Sequence, residues 1–236
     1  MGTSPTPGAR RDGEAGGALR AVALLFDLDG TLVDSTALIT RAWTRWAVEE
    51  GLSRESFVGV PLHGRPARDI VHDLVPDREK EALRRILDIE ASTEGGVRTL
   101  PGADRLLNQL SPDEWAVVTS GSGRIAEPRL AALPIRPRVV VTSDDVDRGK
   151  PDPEPFLLAA RRLGITEPAS CVVLEDAPAG LAAAAAAGMR SVAVVTTHRR
   201  DQLKATVVIP DLDSLLLEHD AGNLLLTFPP SSSTRG

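Results

Sequence analysis

The chain has 236 residues, 27 basic and 33 acidic for a net charge of −6, with 42% apolar and 25% charged residues. Usage this close to the globular average excludes wholesale disorder and coiled-coil or collagen-like architecture, and no apolar run reaches the roughly 20 residues a membrane helix needs. The acidic balance, without blocks of like charge, argues against nucleic acid or a membrane surface as partner; the single cysteine, Cys171, and an N-terminus without a signal-peptide pattern fit a reducing, cytoplasmic setting.

Residues 1–19 are rich in Gly, Pro, Ser and Arg without apolar period and read as a disordered leader. Ala21 to Phe26 is a continuous apolar run, the pattern of a buried parallel strand. From Ser35 to about Thr99 no strand is expected, and three helical patterns follow one another. In the first, Leu38, Ile39, Ala42, Trp43, Trp46 and Ala47 share one face, with Asp34 or Ser35 placed to cap it and Gly51 to end it. Ile70, Val71, Leu74 and Val75 mark the second, and Leu83, Ile86, Leu87 and Glu90 the third.

Beyond residue 100, apolar runs at Trp115 to Val118, Val139 to Val141, Cys171 to Leu174, Ser191 to Val195 and Thr206 to Ile209 alternate with helical segments. Those segments are Ala103 to Leu110, Arg124 to Leu133, Glu154 to Leu163 and Ala179 to Ala187, the last two stopped by Gly164 and Gly188. Repeated strand-helix units predict an α/β fold, a doubly wound parallel sheet of Rossmann type with helices on both faces. The expected division is a core of residues 20–34 and 100–220, a small all-helical cap at 35–99 inserted after the first strand, and a tail at 221–236, in which LLLTF is able to pack.

In such a sheet, ligands meet the carboxyl ends of the strands, and chemistry-bearing residues stand at four of them. The first strand runs into FDLDGTLVDS, placing Asp27 and Asp29 there. VVTSGSG ends another in Thr119, Ser120 and Gly121, whose hydroxyls and amides suit phosphate oxygens. RGKPDPEPF places Lys150 before a proline-stiffened turn, and VVLEDAPAG ends a strand in Glu175 and Asp176. Each motif by itself reads equally as a capping turn or a solvated loop; the four in this order do not.

With these motifs the chain resembles the haloacid dehalogenase superfamily, in the branch with a helical cap after the first motif, over roughly residues 21–209. The resemblance implies Mg-dependent phosphoryl transfer. The chemistry is consistent: a phosphate dianion repels a carboxylate nucleophile unless a divalent cation and a lysine neutralise the partners. Asp27 is then the nucleophile that forms an aspartyl-phosphate, and Asp29 the acid and base for the leaving group and the hydrolytic water. Mg2+ is expected on Asp27, the backbone carbonyl of Asp29, and Asp176, with Glu175 bound directly or through water. Ser120, the Gly121 amide and Lys150 are expected on the phosphoryl oxygens, with Thr31 supporting the nucleophile loop.

Relatives that cleave carbon-halogen or phosphonate bonds lack the second aspartate, which this chain has at Asp29. Helical-cap phosphoglucomutases carry a histidine twelve positions beyond the nucleophile, where this chain has Ile39. Hydrolysis is therefore expected over a sugar-phosphate mutase, and intact motifs count against a non-catalytic phosphate-binding regulator. Together, HGR in the cap, WAVVTSG, DDVDRGKPDPEPF and VVLEDAPAG resemble phosphatases of small sugar and polyol phosphates, which defines the expected partner; the chain is expected to act as a monomer. His63 and Arg65, in the loop VGVPLHGRPARDI, are the candidate substrate contacts of the cap, and capping or solvent-exposed roles stand beside that reading. Trp43 and Trp46 read as cap core and Cys171 as a buried small residue. Cap motion is expected about Asp34 to Thr36 and Arg98 to Pro101.

Overall fold

The computed structural model describes residues 17–60, 62, 67–93 and 95–228. His63 and Arg65 lie outside the described residues. No helix among those described is long and apolar enough to cross a membrane.

The chain begins with β1 (Ala18–Ala21) and β2 (Ala23–Phe26), then β3 (Val33–Asp34). Four helices follow, α1 (Thr36–Glu49), α2 (Arg54–Phe57), α3 (Ala67–Leu74) and α4 (Glu79–Ser92), and β4 (Arg98–Thr99) closes the interval. The remaining elements are α5 (Ala103–Leu107), β5 (Trp115–Val118), α6 (Gly123–Leu130), β6 (Val140–Val141), α7 (Glu154–Arg162), β7 (Cys171–Glu175), α8 (Pro178–Ala186), β8 (Arg190–Val194), β9 (Val207–Ile209), β10 (Leu216–Asp220) and β11 (Asn223–Thr227).

Six strands form one sheet in the order β6-β5-β2-β7-β8-β9, every neighbouring pair parallel. Successive side chains of a strand face opposite layers, so Leu24, Phe26, Trp115, Val117, Val172 and Leu174 enter one buried cluster. Ala23, Leu25, Ala116, Val118, Cys171 and Val173 enter the other, beneath α7 and α8. A sheet covered on both faces explains why its strands read as unbroken apolar runs. The chain leaves β2 toward β5 and β6, then returns to β7 on the other side. The carboxyl end of β2 is thus the crossover point at which a doubly wound sheet binds ligands.

The run Ala21 to Phe26 is two strands rather than one. Half-exposed Val22 interrupts it, and β1 pairs antiparallel with β11 in a separate three-stranded sheet, β1-β11-β10. Accordingly, residues 18 and 19 belong to a strand, and the segment 221–228, expected within the tail, supplies β11, with Leu224 and Leu226 buried in the main core. Hydrophobic pattern reports burial and not which sheet a strand joins.

Helices α1, α3 and α4 close on their own cluster, in which Leu38, Trp43, Trp46, Ile70, Ala82 and Ile86 are buried. The Trp46 indole donates to the Ala82 carbonyl at 2.9 Å and meets Trp43 edge-on at 5.2 Å. Ser35 occupies the N-cap of α1 without a side-chain bond, and it is Asp34 Oδ1 that accepts from the Thr36 amide, at 3.1 Å. β3, just before the interval expected to lack strands, and β4, inside its far end, form a short antiparallel ribbon pairing Val33 with Thr99 and Asp34 with Arg98, and Arg98 bridges to Asp34 at 2.9 Å. The two expected hinge segments are therefore bonded to each other.

Candidate active site

Asp27 follows the last residue of β2, and its amide donates to the Leu174 carbonyl at 2.9 Å, extending the β2–β7 ladder past the strand end. This sets Asp27 beside Glu175 and Asp176. One oxygen from each of the three buried carboxylates falls within 4.8 Å of the others. Lys150 completes the cluster. Its Nζ donates to Asp27 Oδ1 at 2.6 Å, to Glu175 Oε1 at 2.9 Å and to the Val118 carbonyl at 2.9 Å, with the side chain 3% exposed.

Two glycines make this closeness possible. A Cβ on Gly180 would stand 1.7 Å from Glu175 Oε1, and one on Gly30 2.3 Å from Asp176 Oδ2. Gly30 also has φ +89°, a left-handed conformation that the tight turn after Asp29 requires.

Three carboxylates share one lysine, so charge is unbalanced. Burial pushes the Asp27 carboxyl well above its usual range; Lys150 opposes this, while Glu175 and Asp176 add to it. Burial and then Glu175 raise Asp176 to about 7, against the Thr197 hydroxyl bond and Lys150. Burial would lower Lys150, but Asp27 and Glu175 outweigh it and keep the ammonium charged. Hard oxygen donors with a deficit of positive charge suit a divalent cation of the Mg2+ or Ca2+ type.

Above the cluster lies a cavity of about 280 Å³, near the small end of ligand sites. Asp27, Asp29, Ser120, Gly121, Lys150, Glu175 and Asp176 all line it. Ser120 is exposed, whereas the Gly121 amide donates to Thr119 Oγ1 at 3.1 Å, so it reaches a ligand only by exchanging that bond. Thr31 is fully buried, its hydroxyl 3.5 Å from Asp176 Oδ1. Glu175 has both oxygens engaged, Oε1 by Lys150 and Oε2 by the Ala177 amide at 2.6 Å.

Of the acidic run before Lys150, Asp145 accepts from the Thr142 amide and hydroxyl at 2.8 Å, capping a turn. Asp144 accepts from the Gly123 amide at 2.8 Å and borders the cavity.

Several contacts had no counterpart in the motif reading. The Thr197 hydroxyl donates to Asp176 Oδ2, and the His198 ring lies 3.1 Å from the Asp176 carbonyl. Arg129, on α6, is 3% exposed; its Nε is 3.0 Å from Asp29 Oδ1, and its Nη2 is 3.6 Å from Glu90 Oε2 on α4. The other Glu90 oxygen accepts from the Trp43 indole at 2.9 Å. Burial raises the Glu90 carboxyl, opposed first by Arg129 and then by the Trp43 bond. Trp43 also lines the cavity, so it is both cap core and cavity wall. A charge at the buried face of a helix, four residues after Ile125, was the available signal for Arg129.

The haloacid dehalogenase-like hydrolase family matches residues 22–188, and the chain belongs to that family. Among curated relatives, hexitol phosphatase A of Escherichia coli is 42% identical over 184 residues, 75% of this chain and 84% of that protein. Glycerol-1-phosphate phosphohydrolase 2 of Saccharomyces cerevisiae is 36% identical over 199 residues, 79% and 80% of the two chains. Among solved structures, a hydrolase from Pseudomonas syringae superimposes with a TM-score of 0.68 at 28% identity, over 80% of this chain and 94% of that one.

Proposed function

We propose that this protein is a Mg2+-dependent phosphatase of small sugar or polyol phosphates, working through a phosphorylated Asp27. The observation that carries the reading is the buried cluster in which Lys150 is shared by Asp27 and Glu175, with Asp176 adjacent, beneath a cavity that Asp29 also borders. The names of the hexitol and glycerol phosphatases to which the chain is similar support the substrate class.

Asp27, Asp176 and the Glu175 side would hold the ion, which when bound supplies positive charge against the phosphate dianion. Lys150 fixes the Asp27 carboxylate and neutralises charge on the phosphoryl oxygens. The Asp27 carboxylate attacks phosphorus, the ester P–O bond breaks, and Asp29 gives its proton to the leaving oxygen. Asp29 then takes a proton from the water that hydrolyses the acyl phosphate, which returns Asp27 and releases inorganic phosphate. Ser120, which borders the cavity, binds phosphoryl oxygens. Ile39, apolar and lining the cavity, offers no proton relay for returning phosphate to a second hydroxyl, which favours hydrolysis over mutase chemistry.

The test is phosphate release from glycerol, hexitol, hexose and deoxyhexose phosphates with Mg2+, with chelator, and with Asp27→Asn. Metal-dependent release that Asp27→Asn abolishes while remaining folded is expected. Isomerised sugar phosphate without release would instead establish a mutase, and metal-dependent phosphate binding without turnover a regulator.

A further inference from the structure

Helix α6 of the core carries two arginines that reach α4 of the cap. Arg124 pairs with Asp88 at the exposed rim. Arg129 pairs with Glu90 in the buried interior, where it also touches Asp29. From the cap inward, Trp43 holds one oxygen of Glu90, the other faces Arg129, and Arg129 stands against Asp29. All four residues line the cavity. A buried guanidinium is costly without partners, and this one draws them from both sides of the cleft.

Between Arg129 and Asp29 the contact is close but not aligned. Nε of Arg129 and Oδ1 of Asp29 are both buried without a directed hydrogen-bond partner. The pair is thus held by charge rather than by an aligned hydrogen bond. Swinging α4 away would strip Arg129 of Glu90 and leave Asp29 as its remaining carboxylate neighbour among the described residues.

We propose that Arg129 is a positioning residue that holds Asp29 for proton transfer to the leaving group, with Glu90 as its cap-side anchor, so that the acid is set in place when the cap is closed. This rests on Asp29 acting as the proton donor. A donor matters greatly for an alkoxide leaving group and little for a nitrophenolate, which departs unaided. The lesion that a misplaced donor produces is therefore selective for the leaving group, whereas a loosened fold slows both substrates alike.

The experiment compares kcat/KM for glycerol 1-phosphate and 4-nitrophenyl phosphate, with Mg2+, in the wild type and in Asp29→Asn, Arg129→Met, Arg129→Lys, Glu90→Gln and Arg124→Met. Expected for Arg129→Met is a loss of about 10²-fold on glycerol 1-phosphate against less than about tenfold on the aryl ester. Glu90→Gln, which keeps an acceptor for Trp43, shows the same selectivity at smaller size, as does Arg129→Lys, which tests the idea should the methionine variant not fold. Arg124→Met, on the same helix pair but away from Asp29, shows no selectivity. A selective Asp29→Asn with unselective Arg129 and Glu90 variants overturns the proposal and leaves the acid in place. An unselective Asp29→Asn overturns the acid assignment and the proposal together.

Discussion

Lys150 Nζ lies 2.6 Å from Asp27 Oδ1 at a depth where both side chains are largely shielded from water. The same nitrogen also meets Glu175, so one cation holds two carboxylates that would otherwise repel. Replacing it by methionine leaves three buried carboxylates without it. Removing one partner of a buried ion pair costs about 3–5 kcal/mol. Lys150→Met is expected to unfold at markedly lower temperature and to release no phosphate; a melting temperature equal to wild type would show that the cluster is not held by charge.

A divalent ion relieves the same imbalance. Mg2+ is expected to raise the melting temperature with a concentration dependence set by its affinity for the folded state, and Asp176→Asn to abolish most of that rise. Sodium at equal ionic strength serves as the control, and an equal response to both salts would count against a built site.

Gly180→Ala sets two effects against each other. Alanine favours a helix by about 1 kcal/mol over glycine, but its Cβ would overlap a Glu175 carboxylate that Lys150 and the Ala177 amide hold in place. Overpacking of this kind costs about 1–3 kcal/mol, so the variant is expected to be less stable on balance and less active. Thermal unfolding beside phosphate release reads both.

Cys171 begins β7 and is fully buried, and burial pushes its thiol up to about 11. An unfolded thiol ionises at about 8.5. Because the folded value is the higher one, its contribution to stability is full below about 8.5 and is lost as pH rises toward 11. Cys171→Ala is expected to lose that part of the alkaline decline in denaturant midpoint. The native thiol should also fail to react with a disulfide reagent at neutral pH until denaturant is added.

The gathering of the candidate-site residues was legible because most of them are fixed by position along strands. Asp27, Thr119, Glu175 and Asp176 each follow or end an apolar run, and a parallel sheet aligns such ends whatever the intervening helices do; Lys150 stands nine residues beyond β6 and was legible through its motif alone. Trp115 to Val118 is a strand over the same residues the pattern marks. Arg129 and Glu90 escaped because their meeting depends on how α4 folds back over α6, which no local spacing encodes. The hairpin of β10 and β11 escaped for a related reason: its partner β1 is about two hundred residues away and merges in sequence with β2.

That pairing has a practical corollary. Ala18 stands opposite Thr227, so the first and last strands of the described residues begin and end at neighbouring points on one three-stranded sheet. Since β1 feeds the amino end of β2 while the cavity borders its carboxyl end, Ala18 and Thr227 lie on the side of the sheet away from the cavity. A version trimmed to residues 17–228 and tethered by either end is expected to keep the cavity facing the bulk solution.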